Sequence, residues 1–219
     1  MVRLYLRTPQ DNNPMIKLSK KLCYVLRHNP ASIGLSLDKN GYACIDELLL
    51  KLDESGVKID KATLIKIVES DKKGRFSFNA DKTKIRVNYG HSFAVDLNLT
   101  PLCPPAVLYH GTTERNAESI LASGLNKAKR NYVHLTEDIF TAAKIGQRRG
   151  NPVIFRIDSA KMRRDGFDFY KSGVIWLTDH VPKEYLSLYT VSRQAQMTTL
   201  LKQNIKIKKD CITNFAKIR

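Results

Sequence analysis

The chain has 219 residues, with 37 Lys and Arg against 21 Asp and Glu, a formal net charge of +16. Hydrophobic residues make up 42% and charged residues 26%, a globular balance that excludes a disordered chain, a disulfide-stapled mini-protein and a collagen-like repeat. The length allows one large or two small domains, and the positive charge favours a polyanionic partner over an acidic one.

That charge is spread over the whole chain. Residues 1–100 carry a net +6, residues 101–200 a net +5 and residues 201–219 a further +5. The longest uncharged run, Leu97 to Thr113, is broken by Pro101, Pro104 and Pro105 and does not read as a membrane span. Arg3 and Arg7 are followed by no apolar stretch, so no secretory signal is expected. Cys23, Cys44, Cys103 and Cys211 are far apart and form no C-x-x-C pair. Reduced thiols in a cytoplasmic or nuclear, non-secreted protein are expected.

In chain order, Ile16, Leu22, Val25 and Leu26 share one face of a helix that Pro30 ends. Leu35 and Leu37 alternate with polar residues ahead of an Asn40-Gly41 turn. Asp46 to Leu52 reads as a second helix, and Asp60 caps a third containing Leu64, Ile65 and Val68. Phe76, Phe78, Ile85 and Val87 alternate across a polar turn, as in a hairpin. Three helices and a hairpin follow the order of a winged helix-turn-helix module. Val95 to Pro105 reads as an extended connector. Beyond it, Ala106 to Tyr109 is predicted as a strand, Glu114 to Ser123 as a helix with Gly124 after it, Val133 to Leu135 as a strand and Asp138 to Gly146 as a helix. Val153 to Ile157, Val174 to Leu177 and Leu186 to Val191 complete an α+β sheet domain, and residues 193–219 form a polar, basic tail.

The chemistry-bearing residues are few. Five histidines are present: His28, His91, His110, His134 and His180. His110-Gly111-Thr112 is placed between a strand and a helix, where a glycine admits close approach of a ligand and the helix N-terminus favours an anion. Such a turn suits a phosphate or ribose of a dinucleotide, and an ordinary strand-to-helix connection has the same residues. No Rossmann or P-loop glycine pattern is present. Arg148 and Arg149 end a helix, where cations either complement the helix dipole or grip phosphate; Arg27 and Arg86 pose a similar choice between a structural and a phosphate-binding role.

Five segments together narrow these choices. LSKKLCYVLRHNPASIG (Leu18 to Gly34), IRVNYGHS (Ile85 to Ser92), LYHGTTERNAESILASGL (Leu108 to Leu125), VHLTEDIFTAAKIGQRRG (Val133 to Gly150) and FYKSGVIWLTDHVP (Phe169 to Pro182) resemble, in order, the motifs of the RNA 2′-phosphotransferase (tRNA 2′-phosphotransferase) family. The likeness spans about residues 15–190.

This resemblance implies an α+β enzyme of two lobes, a winged-helix RNA-binding lobe at residues 15–96 and an ADP-ribosyltransferase-like NAD-binding lobe at 106–191, with a basic tail at 192–219. It implies removal of an internal 2′-phosphate from RNA, as at ligated tRNA splice junctions, with NAD⁺ as co-substrate. The phosphate attacks C1″ and expels nicotinamide; O2″ then attacks phosphorus. The products are RNA with a 2′-OH and ADP-ribose 1″,2″-cyclic phosphate. The family's basic tetrad carries over onto Arg27, His28, Arg86 and Arg148 as catalytic residues, and its NAD-binding segments onto His110, Gly111, Thr112, His134 and Thr136. No metal is expected, because arginines supply the positive field and no carboxylate cluster is present to bind one. A monomer with no membrane attachment is expected. The chain departs from the family's pattern at Tyr89, where Gln is usual, at Val87, where a smaller residue is usual, at Arg149, where His is usual, and at Ser172 to Trp176, a variant of Asn-Gly-Val-Trp. Two other classes compete: an ADP-ribosyltransferase acting on protein or nucleic-acid ends, and a winged-helix nucleic-acid binder without catalysis.

Overall fold

Helix α1 (Pro14–Arg27) starts where the Asn13 side chain accepts from the Met15 N–H at 2.9 Å. It buries Leu22, Val25 and Leu26, while Ile16, expected on the same face, is 37% exposed. The coordinates come from a computed structural model, which describes residues 13–148 and 150–189. The tail at 192–219 and Arg149 lie outside the described residues. The described residues up to Ser187 form one compact unit, and Leu188 and Tyr189 fall outside it.

After α1 comes a 3₁₀ turn, Pro30–Ile33. The alternation at Leu35 and Leu37 yields no strand. Asp38 instead accepts from the backbone of Asn40 and Tyr42, both at 3.0 Å, and closes the turn ahead of β1 (Tyr42–Cys44). Helix α2 (Ile45–Glu54) and helix α3 (Lys61–Glu69) follow, the latter capped by Asp60. Strands β2 (Phe76–Phe78) and β3 (Lys84–Val87) form the expected hairpin, and β1 adds to it, giving an antiparallel sheet of order β1-β3-β2. One buried cluster, including Leu22, Leu26, Leu48, Leu64 and Ile85, joins these elements.

The remaining elements are β4 (Leu108–Thr113), α4 (Glu114–Ser123), β5 (Leu125–Asn126), β6 (Val133–Leu135), α5 (Ile139–Gln147), β7 (Pro152–Ile157), α6 (Ser159–Arg164), β8 (Tyr170–Ser172), β9 (Ile175–Thr178), β10 (His180–Val181) and β11 (Leu186–Leu188). Strand β4 is longer than expected because β7 pairs along its whole length, from Leu108 opposite Ile157 to Thr113 opposite Pro152. The His110-Gly111-Thr112 segment therefore lies inside a strand and not in a turn. Sheets of order β11-β7-β4 and β6-β9-β8 meet at an antiparallel bridge between Tyr109 and Thr136, and β5 pairs with β10. A second buried cluster includes Leu108, Leu135, Phe155, Phe169 and Trp176. The fold is thus α+β with antiparallel sheets. No described helix is long and apolar enough to cross a membrane.

One contact between the β1–β3 side and the β6–β9 side is main chain on main chain. Gly74 and Gly173, at φ +57° and +59°, meet backbone to backbone; a Cβ on Gly173 would lie 2.6 Å from Gly74 O. Beside them, Ser172 Oγ donates to Asn88 O at 2.6 Å, and Asn88 Nδ2 donates to Gly74 O at 2.9 Å.

Candidate active site

The segment 88–92 after β3 organises the cationic part of the site. The Ser92 N–H donates to Arg27 O at 3.0 Å, closing the end of α1. Ser92 Oγ lies 3.2 Å from Nδ1 of His28. Arg27 lays its guanidinium over the Tyr89 ring, and Gly90 presents its α-carbon to that guanidinium: a Cβ there would stand 3.5 Å from Cζ. Arg86 projects from β3 over the ring of Tyr42, its cross-strand partner in β1, at 4.8 Å. Its Nη1 reaches only the Asn40 and Leu97 carbonyls, at 3.5 and 3.4 Å.

The nitrogens facing inward lack partners. Nε and Nη2 of Arg27, Nε of Arg86 and both ring nitrogens of His91 are buried without a hydrogen bond. Buried polar atoms in native folds are almost always paired, so the guanidinium nitrogens leave room for acceptors, and the neutral His91 ring for one acceptor and one donor, that a ligand or water brings. His91 is 1% exposed, and burial, followed by the charges of Arg27, Arg86 and His28, pushes its pKa down to about 4. His28 is lowered too, first by burial and then by Arg27 and Arg130. Every charged or titratable side chain acting on these two histidines is basic.

A cavity of about 580 Å³, within the range of small-ligand sites, is lined by β4, α4, the loop before β6, and β6. It contains every residue expected to bind NAD: His110, Gly111, Thr112, His134 and Thr136. His110 Nδ1 is 3.0 Å from the carbonyl of His134. Thr112 Oγ1 accepts from Asn116 at 3.4 Å, and Thr136 Oγ1 accepts from the Asp138 N–H at 3.2 Å, which ties the wall to the start of α5. Gly111 needs a different explanation from the one its sequence suggested. A Cβ on it would clash with Ala142 O, so the glycine admits helix α5 against β4; a Cβ on Gly146 of the same helix would likewise clash with Thr112 O, less severely.

The cavity and the cationic cluster are neighbours. The His134 ring packs edge-on to Tyr89 at 6.0 Å, and His134 feels the charges of Arg130, Arg27, His110 and His91. Arg148 is exposed at the end of α5, and among the described residues no hydrogen bond, ion pair or ring contact joins it to Arg27, His28 or Arg86. It acts instead on Lys73, whose pKa is lowered first by burial and then by Arg148. The structure therefore gathers Arg27, His28 and Arg86 around His91 and leaves Arg148 outside that cluster. Residues whose part in the site sequence reasoning missed are Tyr89, whose partners Arg27 and His134 are distant in sequence, Arg130, which meets His134 four residues on, and His91.

Stacked guanidiniums with open donors beside a polar cavity have the chemistry to take up phosphate and sugar groups. The family described as RNA 2′-phosphotransferase, Tpt1 / KptA family, matches residues 13–180. A protein of Flavobacterium johnsoniae named "Probable RNA 2′-phosphotransferase" is 49% identical over 177 residues, 80% of this chain and 97% of its own length. Proteins of the same name from Hahella chejuensis and Trichormus variabilis are 48% and 47% identical, covering 80% and 79% of this chain and 95% and 96% of their own. The chain belongs to the RNA 2′-phosphotransferase family and is a transferase.

Proposed function

We propose that the protein removes an internal 2′-phosphate from RNA, with ligated tRNA as the natural substrate class, and passes it to NAD⁺. The α1–α3 helices with the β1–β3 sheet serve as the winged-helix, RNA-holding lobe. The part from β4 to β11 serves as the ADP-ribosyltransferase-like, NAD-holding lobe.

The observation that carries this reading is the set of unpartnered guanidinium nitrogens on Arg27 and Arg86 beside a cavity lined by His110 and His134. The residues fit the co-substrate: hydroxyl and imidazole groups suit ribose, while the arginines suit phosphate. NAD⁺ supplies an electrophilic sugar carbon and a hydroxyl that takes up the phosphoryl group. The chain's own contribution is positional and electrostatic. Arg27 and Arg86 hold the 2′-phosphate oxygens with fixed, stacked guanidiniums. His28, lowered below its ordinary pKa and bonded to Ser92, is suited to exchange a proton or donate a hydrogen bond at the phosphate or the departing O2′. The family's pattern assigns Arg148, exposed at the end of α5, to the same phosphate.

The test mixes the pure protein, NAD⁺ and an oligonucleotide carrying one internal 2′-phosphate. Release of nicotinamide together with loss of the 2′-phosphate is expected. An RNA that keeps its phosphate, with no nicotinamide released, sinks the proposal.

A further inference from the structure

Arg130 lies in the loop between β5 and β6, and three contacts fix that loop. The Arg130 N–H donates to Lys127 O at 3.0 Å, Lys127 Nζ pairs with Asp179 at 2.8 Å, and Asn131 Nδ2 donates to Phe93 O at 3.1 Å. From this position Nη1 of Arg130 lies 2.6 Å from Nδ1 of His134. A guanidinium only donates, so Nδ1 of His134 accepts and the proton of its neutral ring sits on Nε2. His110 is constrained in the opposite sense. Its Nδ1 faces the His134 carbonyl, which only accepts, so His110 carries its proton on Nδ1 and Nε2 is left as an acceptor.

We propose that Arg130 is a positioning residue that sets the tautomer of His134, so that the cavity wall offers one acceptor, His110 Nε2, and one donor, His134 Nε2–H, a pair matched to a sugar hydroxyl and mismatched to a phosphate. A hydroxyl gives its proton to one ring and accepts from the other. An ionised phosphate has only acceptors, and would leave its oxygen against the lone pair of His110. The two rings thereby select a sugar hydroxyl, while phosphate is left to the cations, Arg115, Lys127 and Arg130 on the same wall and Arg27 and Arg86 beside it.

Both rings are held neutral. Burial is the first cause for each; Arg130, Arg27, His110 and His91 then bring His134 down to about 3, and Arg130 acts likewise on His110. The proposal rests on the reading that a nucleotide sugar enters this cavity.

The experiment labels the histidines of the full chain with ¹⁵N and reads ring protonation by long-range proton–nitrogen spectra at pH 7. The wild type is expected to show His134 protonated on Nε2 and His110 on Nδ1, with both rings shifting on addition of ADP-ribose and neither on addition of inorganic phosphate. Arg130→Met removes the donors while keeping an unbranched side chain. It is expected to mix the His134 tautomers, leave His110 unchanged and weaken ADP-ribose about tenfold, the loss of one charge-assisted hydrogen bond. Arg130→Lys, which restores a donor, is expected to recover the tautomer and most of the affinity. A wild-type His134 protonated on Nδ1, or an Arg130→Met protein with unaltered tautomer and affinity, overturns the role of Arg130. Equal ring shifts with phosphate and with ADP-ribose overturn the sorting. Nicotinamide release by the wild type tests the reaction separately, so a wrong tautomer in a chain that releases nicotinamide counts against Arg130 alone.

Discussion

The guanidinium carbon of Arg27 lies 4.8 Å from the centre of the Tyr89 ring, while the Tyr89 hydroxyl donates to Lys73 O at 3.1 Å. One aromatic side chain thus supports Arg27 at its face and is tethered at its far end to the turn that contains Gly74. The position where the family's pattern usually carries Gln has become a platform.

Replacing Tyr89 by Leu removes the platform and leaves Arg27 free to leave its rotamer. A buried cation–π contact is worth about 0.5–2 kcal/mol, so kcat/KM for a 2′-phosphorylated oligonucleotide is expected to fall about 2- to 30-fold. Tyr89→Phe keeps the ring and loses only the tether, and its kcat/KM is expected to stay closer to wild type. Equal losses in the two variants would place the importance in the hydroxyl.

Gly111 and Asn116 separate packing from binding. Gly111→Ala drives a methyl group into Ala142 O, and the loss of stability is expected to reach or exceed the ~1–3 kcal/mol usual for overpacking, read as a lower urea midpoint. Asn116→Ala, on the cavity wall, is expected to weaken NAD⁺ binding with the midpoint unchanged. A Gly111→Ala protein of normal stability would contradict the close contact of α5 with β4.

Acid is expected to destabilise the protein through His91 and His134. Their ordinary pKa is 6.5, and the fold lowers them to about 4 and about 3. Below pH 6.5 the unfolded chain takes up protons that the folded chain refuses. Each histidine therefore contributes a loss of up to about 1.4 kcal/mol per pH unit, beginning near pH 6.5 and levelling off near its folded value. Denaturation midpoints at pH 7, 6, 5 and 4 measure the slope. His91→Leu is expected to flatten it above pH 4; an unchanged slope would show that His91 is protonated in the folded state.

Arg27→Ala, Arg86→Ala and Arg148→Ala probe the two transfers separately. Charge at phosphorus matters most when oxygens attack and leave that atom, and less while a sugar carbon loses nicotinamide. A charge-assisted hydrogen bond worth about 1.5–3 kcal/mol corresponds to roughly ten- to hundredfold in the second transfer. RNA carrying ADP-ribose on its 2′-phosphate is expected to accumulate on a gel time course. Parallel loss of both transfers, with no such RNA, would assign the arginines to binding alone.

Much of the fold was legible because local signals and tertiary structure agree. Gly124 follows α4 and Asp138 caps α5 where the residue types place them, and β6 begins and ends as its three apolar-flanked residues suggest. Leu35 and Leu37 misled because the Leu35 N–H closes the 3₁₀ turn on Pro30 O and the Asp38 N–H turns back onto Tyr42 O, so no strand pairs with this segment. His110 to Thr112 misled because only the pairing with β7, some forty residues later, extends β4 through them. In the site, the resemblance pointed to Arg27, His28 and Arg86, but their spacing in sequence says nothing of the Ser92 and Tyr89 contacts that converge on the first two. Arg130 was hidden for a related reason: an arginine in a polar loop looks like any other until the loop is seen pinned by Asn131 to Phe93.

The meeting of Gly74 with Gly173 leaves no adjustable part between two stretches of main chain. A side-chain contact answers a perturbation by choosing another rotamer; here there is nothing to rotate. The smallest change that genetics allows at Gly173, one methyl group, is already larger than the gap. Because Asn88 is bonded to both Gly74 O and Ser172 Oγ, and leads directly into the segment that holds Arg27 and His28, such a wedge would be transmitted to the phosphate-facing groups as a displacement. These two turns act as a fixed gauge for the site, and the enzyme's rate is expected to register a change in it before its stability does.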